Sequence, residues 1–276
     1  MKKRVFACLM ATVMVAGLAA CGTKEAPKTD DQQNANGTVD DGKFVVGFDA
    51  EFPPYGYKDD SGEYVGFDLD LAAEVCDRLG WELVKQPIEW DAKDMELEAG
   101  TIDCIWNGFT INGREDFYTW TVPYVDNSQV FVVADDSGIT SKADLAGVVV
   151  GVQKGSSALA ALEDSANEAL KASFGSMNQY ADYNTAFMDL EAGAIDALAM
   201  DIGVANYHIS QRGGGFTVLE EQLATEQYGV GFLRGNTALK DVVEETLLEM
   251  AEDGTFMEIA EKYADFGMTE SVCLGK

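Results

Sequence analysis

Residues 100–129 read GTIDCIWNGFTINGREDFYTWTVPYVDNSQ, and this stretch decides how the rest of the chain is read. Ile102–Trp106 is a short apolar run following a glycine, which predicts a buried strand. Asn107-Gly108-Phe109-Thr110 comes next, so small and polar groups stand just past the strand's C-terminal end. That is where open α/β sheets hold small ligands. Gly108 lets a ligand approach the backbone, and Thr110 adds a hydroxyl donor. Arg114 adds a planar fork that matches a carboxylate through two parallel bonds.

Working outward, the segment belongs to an alternating pattern. Phe44–Phe48 is a β-branched and aromatic strand, and Tyr57–Tyr64 predicts a hairpin turning at Asp59-Asp60-Ser61-Gly62. Leu71, Val75 and Leu79 mark a helix stopped by Gly80. A strand over Trp81–Val84, a helix over Asp91–Ala99 and the strand Ile102–Trp106 complete a βαβ series. The series then recurs, because Leu97-Glu98-Ala99-Gly100-Thr101-Ile102-Asp103 is echoed by Leu190-Glu191-Ala192-Gly193-Ala194-Ile195-Asp196. Each copy reads as a helix end, a glycine cap and a buried strand. Gly108 follows the first copy and Asp201 the second at the same offset, so two similar lobes both present ligand-type groups at a strand end. Extended stretches at Ser128–Ala134 and Gln227–Leu233 predict crossover strands that form a hinge. Lobe 1 is then expected over 42–127 plus 232–276, with helices near Thr237–Met250 and Thr255–Tyr263 returning to it, and lobe 2 over 128–231.

The N-terminus has a different character. Lys2, Lys3 and Arg4 precede an apolar and small-residue run from Val5 to Ala20, the layout of a signal peptide over residues 1–20. The run is short for a membrane-spanning helix, which needs about 20 apolar residues. Its end, Leu18-Ala19-Ala20-Cys21-Gly22, resembles the bacterial lipobox, with Cys21 as the lipid-modified residue. Residues 21–41 continue without apolar periodicity and predict a disordered tether.

Composition narrows the partners. The chain carries 48 acidic against 19 basic residues, a formal net charge of −29. Such a surface is soluble and self-repelling, and offers no polybasic face for nucleic acid or anionic lipid. Cys76, Cys104 and Cys273 show no zinc-ligand spacing, so neither a metal nor any other cofactor is expected. His208, the single histidine, lies on a predicted helix where a surface or capping role is expected.

With these residues in view, the region from about residue 42 onward resembles the extracytoplasmic solute-binding proteins of family 3, the polar amino-acid-binding lipoproteins that serve ABC importers. The resemblance rests on Gly-x-(Thr/Ser)-Ile-Thr-x-x-Arg followed by an aromatic-rich stretch and Pro-Tyr, here Gly108 to Arg114 and Pro123-Tyr124. The Thr110–Arg114 spacing is one residue shorter than that pattern. It implies an α/β, two-lobe periplasmic-binding-protein-like fold of type II, with two βαβ lobes closing about crossover hinge strands. It implies a carboxylate clamp of Arg114, Thr110, Gly108 and Ser156, the last in the turn Gly151–Ser157, where an N-cap is the plainer alternative. Asp201 would receive the ligand ammonium, again with helix capping as the alternative.

Asp49, Phe52, Trp90 and Asn107 would form the side-chain pocket, with Gln129 a weaker candidate, and core packing is the plainer fate of both aromatics. Asp49 and Glu51 would repel an anionic ligand, which favours a polar, uncharged or basic amino acid. The expected partners are that free amino acid, an ABC permease and ATPase complex, and the membrane through the lipid anchor, with the protein a monomer outside the cytoplasm. No catalytic residue is expected: neither a nucleophile elbow nor a dinucleotide fingerprint is present. Two alternatives share the fold, a periplasmic dehydratase of prephenate-like acids and a ligand-sensing input protein.

Overall fold

The computed structural model describes Val39 and residues 42–275. The expected signal peptide, Cys21 and all of the tether except Val39 lie outside the described residues.

Two sheets organise the chain. In the first, the strand order is Glu82–Pro87, Lys43–Phe48, Cys104–Ile105, Gly231–Leu233 and Tyr118–Trp120. The first three run parallel and the last two pair antiparallel. In the second, the order is Ser176–Tyr180, Val149–Gln153, Ala197–Asp201, Val125–Ala134 and Phe216–Val218, and Ala224–Tyr228 pairs with the other end of the long strand Val125–Ala134. A small three-stranded sheet, Glu51–Phe52, Gly56–Lys58 and Tyr64–Val65, carries the hairpin read from the sequence.

The repeated motif performs the same job twice. Gly100 and Gly193 both take left-handed conformations, φ 70° and 71°, which end the preceding helices. Asp103 then accepts the Val45 amide at 2.7 Å, and Asp196 accepts the Val149 amide at 2.8 Å, each tying a carboxylate to the neighbouring strand. Ile102 packs where Gly47 has no side chain, and Ile195 packs where Gly151 has none. In both sheets the glycine lies two residues before the strand-end polar group, Asp49 in one and Gln153 in the other.

The chain passes between the sheets twice. Tyr118–Trp120 belongs to the first sheet and Val125–Ala134 to the second, so the strand predicted from Ser128 begins three residues earlier. The stretch Gln227–Leu233 is two strands rather than one, since Ala224–Tyr228 stays in the second sheet and Gly231–Leu233 enters the first. The two passages run side by side: Thr121 N–H donates to Val230 O at 3.2 Å, and Tyr124 N–H to Tyr228 O at 3.0 Å. The C-terminal helices Thr237–Asp253 and Thr255–Glu261 pack on the helix Phe67–Leu79, where Phe256 and Tyr263 set their rings 5.9 and 5.8 Å from Phe67.

His208 is not at the surface. It is buried on the helix Ile202–Arg212, stacked 4.9 Å from Phe187 and held 3.2 Å from the Arg212 guanidinium. Burial and that neighbouring cation push its pKa down to about 4, so it stays neutral.

Candidate functional site

The strand ends of the two sheets face one another across a narrow cleft lined by Phe52, Trp90, Gly108, Thr110, Arg114, Gln153, Ser156, Ser157 and Asp201. Several contacts cross it. Gln153 Nε2 donates to Asp49 Oδ2 at 2.7 Å, Lys154 pairs with Asp91, and Lys93 Nζ reaches Gly155 O at 3.5 Å. The Phe52 and Tyr183 rings meet at 5.9 Å.

Arg114 stands at the rim, and the short spacing from Thr110 is absorbed by a tight turn. Arg114 N–H donates to Ile111 O at 2.8 Å, and Gly113 takes φ 78° within that turn. The guanidinium lies 5.3 Å from the Phe109 ring and, among the described residues, makes a single hydrogen bond, Nη1 to Thr110 O at 3.2 Å. Most of its donor capacity is left for an anion.

Asp201 occupies the position before the helix Ile202–Arg212, yet its side chain makes no capping bond. Its Oδ1 instead accepts from Gln129 Nε2 at 2.7 Å, Asn127 Nδ2 at 2.9 Å and the Tyr228 hydroxyl. Sheet register explains this. Asp201 stands opposite Gln129 and Glu226 opposite Asn127, and residues two apart on a strand share a face.

Other predicted residues are placed differently from expectation. Gly108 lines the cavity at φ 55° with Phe52 and Tyr228 against its α-carbon, but its N–H donates to Asp68 Oδ2 at 2.6 Å. Its backbone donor is therefore unavailable to a ligand carboxylate. Ser156 caps the helix Ser157–Glu163, accepting from Leu159 N–H at 3.1 Å and donating to Gln153 O at 2.8 Å. Ser157 is the serine whose hydroxyl turns inward, 2.9 Å from Gln129 Nε2. Phe52 and Trp90 are both cavity walls and packing partners, stacked at 6.5 Å with planes 6° apart.

Asp49 lies behind Gln153, and Asn107 Oδ1 accepts its amide at 3.0 Å, so these two residues brace the wall rather than line the cavity. Thr110 spends its hydroxyl on Glu226 Oε1 at 2.8 Å. Glu226 and Asp68 are the site residues that sequence reading missed. The alternation Glu226-x-Tyr228 opposite Asn127-x-Gln129 is the signal that could have found Glu226, once the strands were paired. Asp68, inside an apolar helix start, carried no signal beyond being acidic among apolar neighbours.

Three buried carboxyls titrate high. Burial raises Asp68 to about 7 and Asp49 to about 6, and burial followed by the Glu226 charge raises Asp201. Carboxyls raised in the folded state stabilise it at acid pH and lose that contribution as pH climbs through their folded values. Without ligand, the melting temperature is therefore expected to be higher near pH 5 than near pH 8. A scan that is flat or rises toward pH 8 would show these groups ionised in the native fold.

The sequence model of the bacterial extracellular solute-binding proteins, family 3, matches residues 44–267. The L-cystine-binding protein TcyJ of Escherichia coli is 27% identical over 265 residues, covering 95% of both chains. The histidine-binding periplasmic protein of Salmonella typhimurium is 31% identical over 235 residues, 81% of this chain and 88% of that one. Among solved structures, a substrate-binding protein of an ABC uptake transporter from Streptococcus pneumoniae, crystallised with bound histidine, superposes with TM-score 0.77. It is 37% identical and covers 80% of this chain and 92% of that one.

Proposed function

The chain belongs to the bacterial extracellular solute-binding proteins, family 3, and from that premise we propose that it captures a free polar amino acid between its two lobes and delivers it to an ABC importer. Its fold is the two-lobe, type II periplasmic-binding-protein fold. The observation that carries the proposal is the placing of Arg114, from the loop between two strands of the first sheet, and Asp201, from a strand end of the second, on one cavity. An amino acid offers an anion and a cation three bonds apart, and the cavity offers one partner of each sign. The lobe boundaries fall within the two passages between the sheets, after Trp120 and before Val125 and again after Tyr228 and before Gly231, and ligand capture closes the lobes about these paired passages. The carboxylate meets Arg114, against a wall of Thr110, Gly108 and Ser156 whose own donors are engaged within the protein, and the ammonium meets Asp201. Cys21 carries the lipid that keeps the protein at the outer face of the membrane, beside the permease and ATPase complex.

Phe52 and Trp90 form a flat apolar slot in which a planar or cationic side chain stacks. Asp49 stands behind Gln153 at its end and makes the slot unfavourable to a second carboxylate. A thermal-shift panel of the standard amino acids with cystine, ornithine and prephenate, followed by calorimetry, tests the proposal. Micromolar or tighter binding of one or a few polar or basic amino acids is expected. Silence from all of them, with prephenate consumed, would make the protein a dehydratase. In the same panel Asp49→Asn is expected to reorder the ligands. An unchanged ranking would remove Asp49 from selectivity.

A further inference from the structure

Asp201 and Glu226 form an unusual pair. Gln129 Nε2 stands 2.7 Å from Asp201 Oδ1 and 2.8 Å from Glu226 Oε1, and Asn127 Nδ2 stands 2.9 and 2.8 Å from the same two oxygens. Two carboxylates are thus bridged by the same two amide groups. Both are buried, at 3% and 7% exposure, and among the described residues neither has a lysine or arginine in an ion pair. Glu226 also accepts from the Thr110 and Ser157 hydroxyls, at 2.8 and 3.3 Å. The other end of each bridging amide, Asn127 Oδ1 and Gln129 Oε1, is buried without a hydrogen-bond partner. Two buried carboxylates that share two amide donors and have no counter-charge among the described residues form an arrangement that a donor-rich cation completes. Two like charges this close and this dry do not both stay ionised without one.

We propose that Glu226 is a positioning residue for ligand capture: in the absence of ligand it keeps one proton on the Asp201–Glu226 pair, and the arriving ammonium displaces that proton into solvent. The proposal rests on the amino-acid reading of the cavity and deepens it. The balance is simple. A singly protonated pair and R–NH3⁺ give a doubly ionised pair holding R–NH3⁺, plus one H⁺ in bulk water.

Of the surrounding groups the phenols stay protonated through neutrality, whereas Asp68 and Asp49, raised to about 7 and about 6, titrate in the same range, so the comparison with a Glu226 variant isolates the contribution of the pair. Tyr55, Tyr183 and Tyr228 feel both carboxylates, and burial holds their phenols well above the usual tyrosine range. Asp68 acts on Tyr55, and Asp49 on Tyr183. The cations nearby are Arg114, on the cavity wall, and Lys93, whose amine is turned to the Trp90 and Gly155 carbonyls. Capture then becomes linked to pH: affinity falls below neutrality, where the proton must be expelled against a higher proton concentration.

The test is calorimetry on wild type and Glu226→Gln in buffers of different ionisation enthalpy. L-arginine, L-glutamine, L-histidine and L-cystine are each titrated, and the tightest binder is carried from about pH 6 to about pH 8.5. Wild type is expected to release up to about one proton per ligand near pH 6 and almost none near pH 8.5, with its Kd falling about tenfold over that range. Glu226→Gln removes the like charge, so its proton release near pH 6 should drop toward zero and its Kd become nearly independent of pH. Reading the difference between the two proteins cancels any titration of the ligand itself.

A wild type that binds with no proton release overturns the proposal while leaving the amino-acid reading intact. So does a variant that releases as many protons as wild type. Binding of none of the four amino acids by the wild type overturns both. An absence of proton release from wild type overturns the proposal even if that variant fails to fold, and Glu226→Ala then supplies the difference measurement.

Discussion

Arg114→Ala and Asp201→Ala are each expected to weaken amino-acid binding by at least about a hundredfold, roughly 2.7 kcal/mol. The reason lies in what each truncation leaves behind. When the lobes close, a ligand carboxylate beside the rim and a ligand ammonium beside Asp201 both lose water. Removing one protein partner leaves a charge desolvated and unpaired, which costs about 2–5 kcal/mol in comparable interfaces. Arg114 is well placed for this because, among the described residues, its guanidinium spends one hydrogen bond, to Thr110 O. Asp201 is likewise free of the capping duty its position would allow. Calorimetry with the best ligand of the panel decides the point, and near-native affinity in either variant would take that residue out of the site.

The second large effect is expected from a residue that touches no ligand. Gly66→Ala should destabilise the fold by about 3 kcal/mol or more, lowering the melting temperature by roughly 6–12 °C. Gly66 stands before the helix Phe67–Leu79 at φ 141°, ψ 165°, a region open almost only to glycine. A methyl group there would also press on main chain, 2.6 Å from the Tyr55 carbonyl carbon and 2.8 Å from the Gly56 nitrogen. The closeness has a purpose. The first helical amides, Phe67 and Asp68, donate to Pro54 O and Tyr55 O at 2.8 and 3.0 Å, so the loop caps the helix through its backbone. That loop also carries Phe52 to the cavity wall. Ligand affinity should therefore fall together with stability. Wild-type melting in the variant would mean that the loop yields at little cost.

The alternation of strands and helices was legible before any coordinates, and so was the doubled Leu-Glu-Ala-Gly-x-Ile-Asp unit. Both are local: a glycine ends a helix, an isoleucine enters a sheet and an aspartate ties the strand beside it. Gly108 and Asp201 were legible because they follow those units at the same offset, and Arg114 because it stands in the turn just beyond the first of them. The misreadings have one cause. Gly108 and Ser156 each carry a donor with several possible uses, and local sequence does not say which one is taken. Asp68, forty residues earlier, claims the Gly108 amide, and the Gln153 carbonyl claims the Ser156 hydroxyl. The Gln227–Leu233 stretch reads as one extended segment because period and propensity are the same in two adjoining strands, whichever sheet each joins.

By itself, then, the sequence determined the α/β class, the repeated unit, the strand ends that carry ligand-type groups and the acidic character of the surface. These follow from periodicity, glycine conformation and charge, which are properties of neighbours along the chain. Only the tertiary structure decided that Glu226 lies beside Asp201, that Asp49 is screened by Gln153, and that the histidine is buried. Each depends on strand register or on two lobes meeting, where contacts join residues scores of positions apart and a shift of one residue would turn every side chain to the other face.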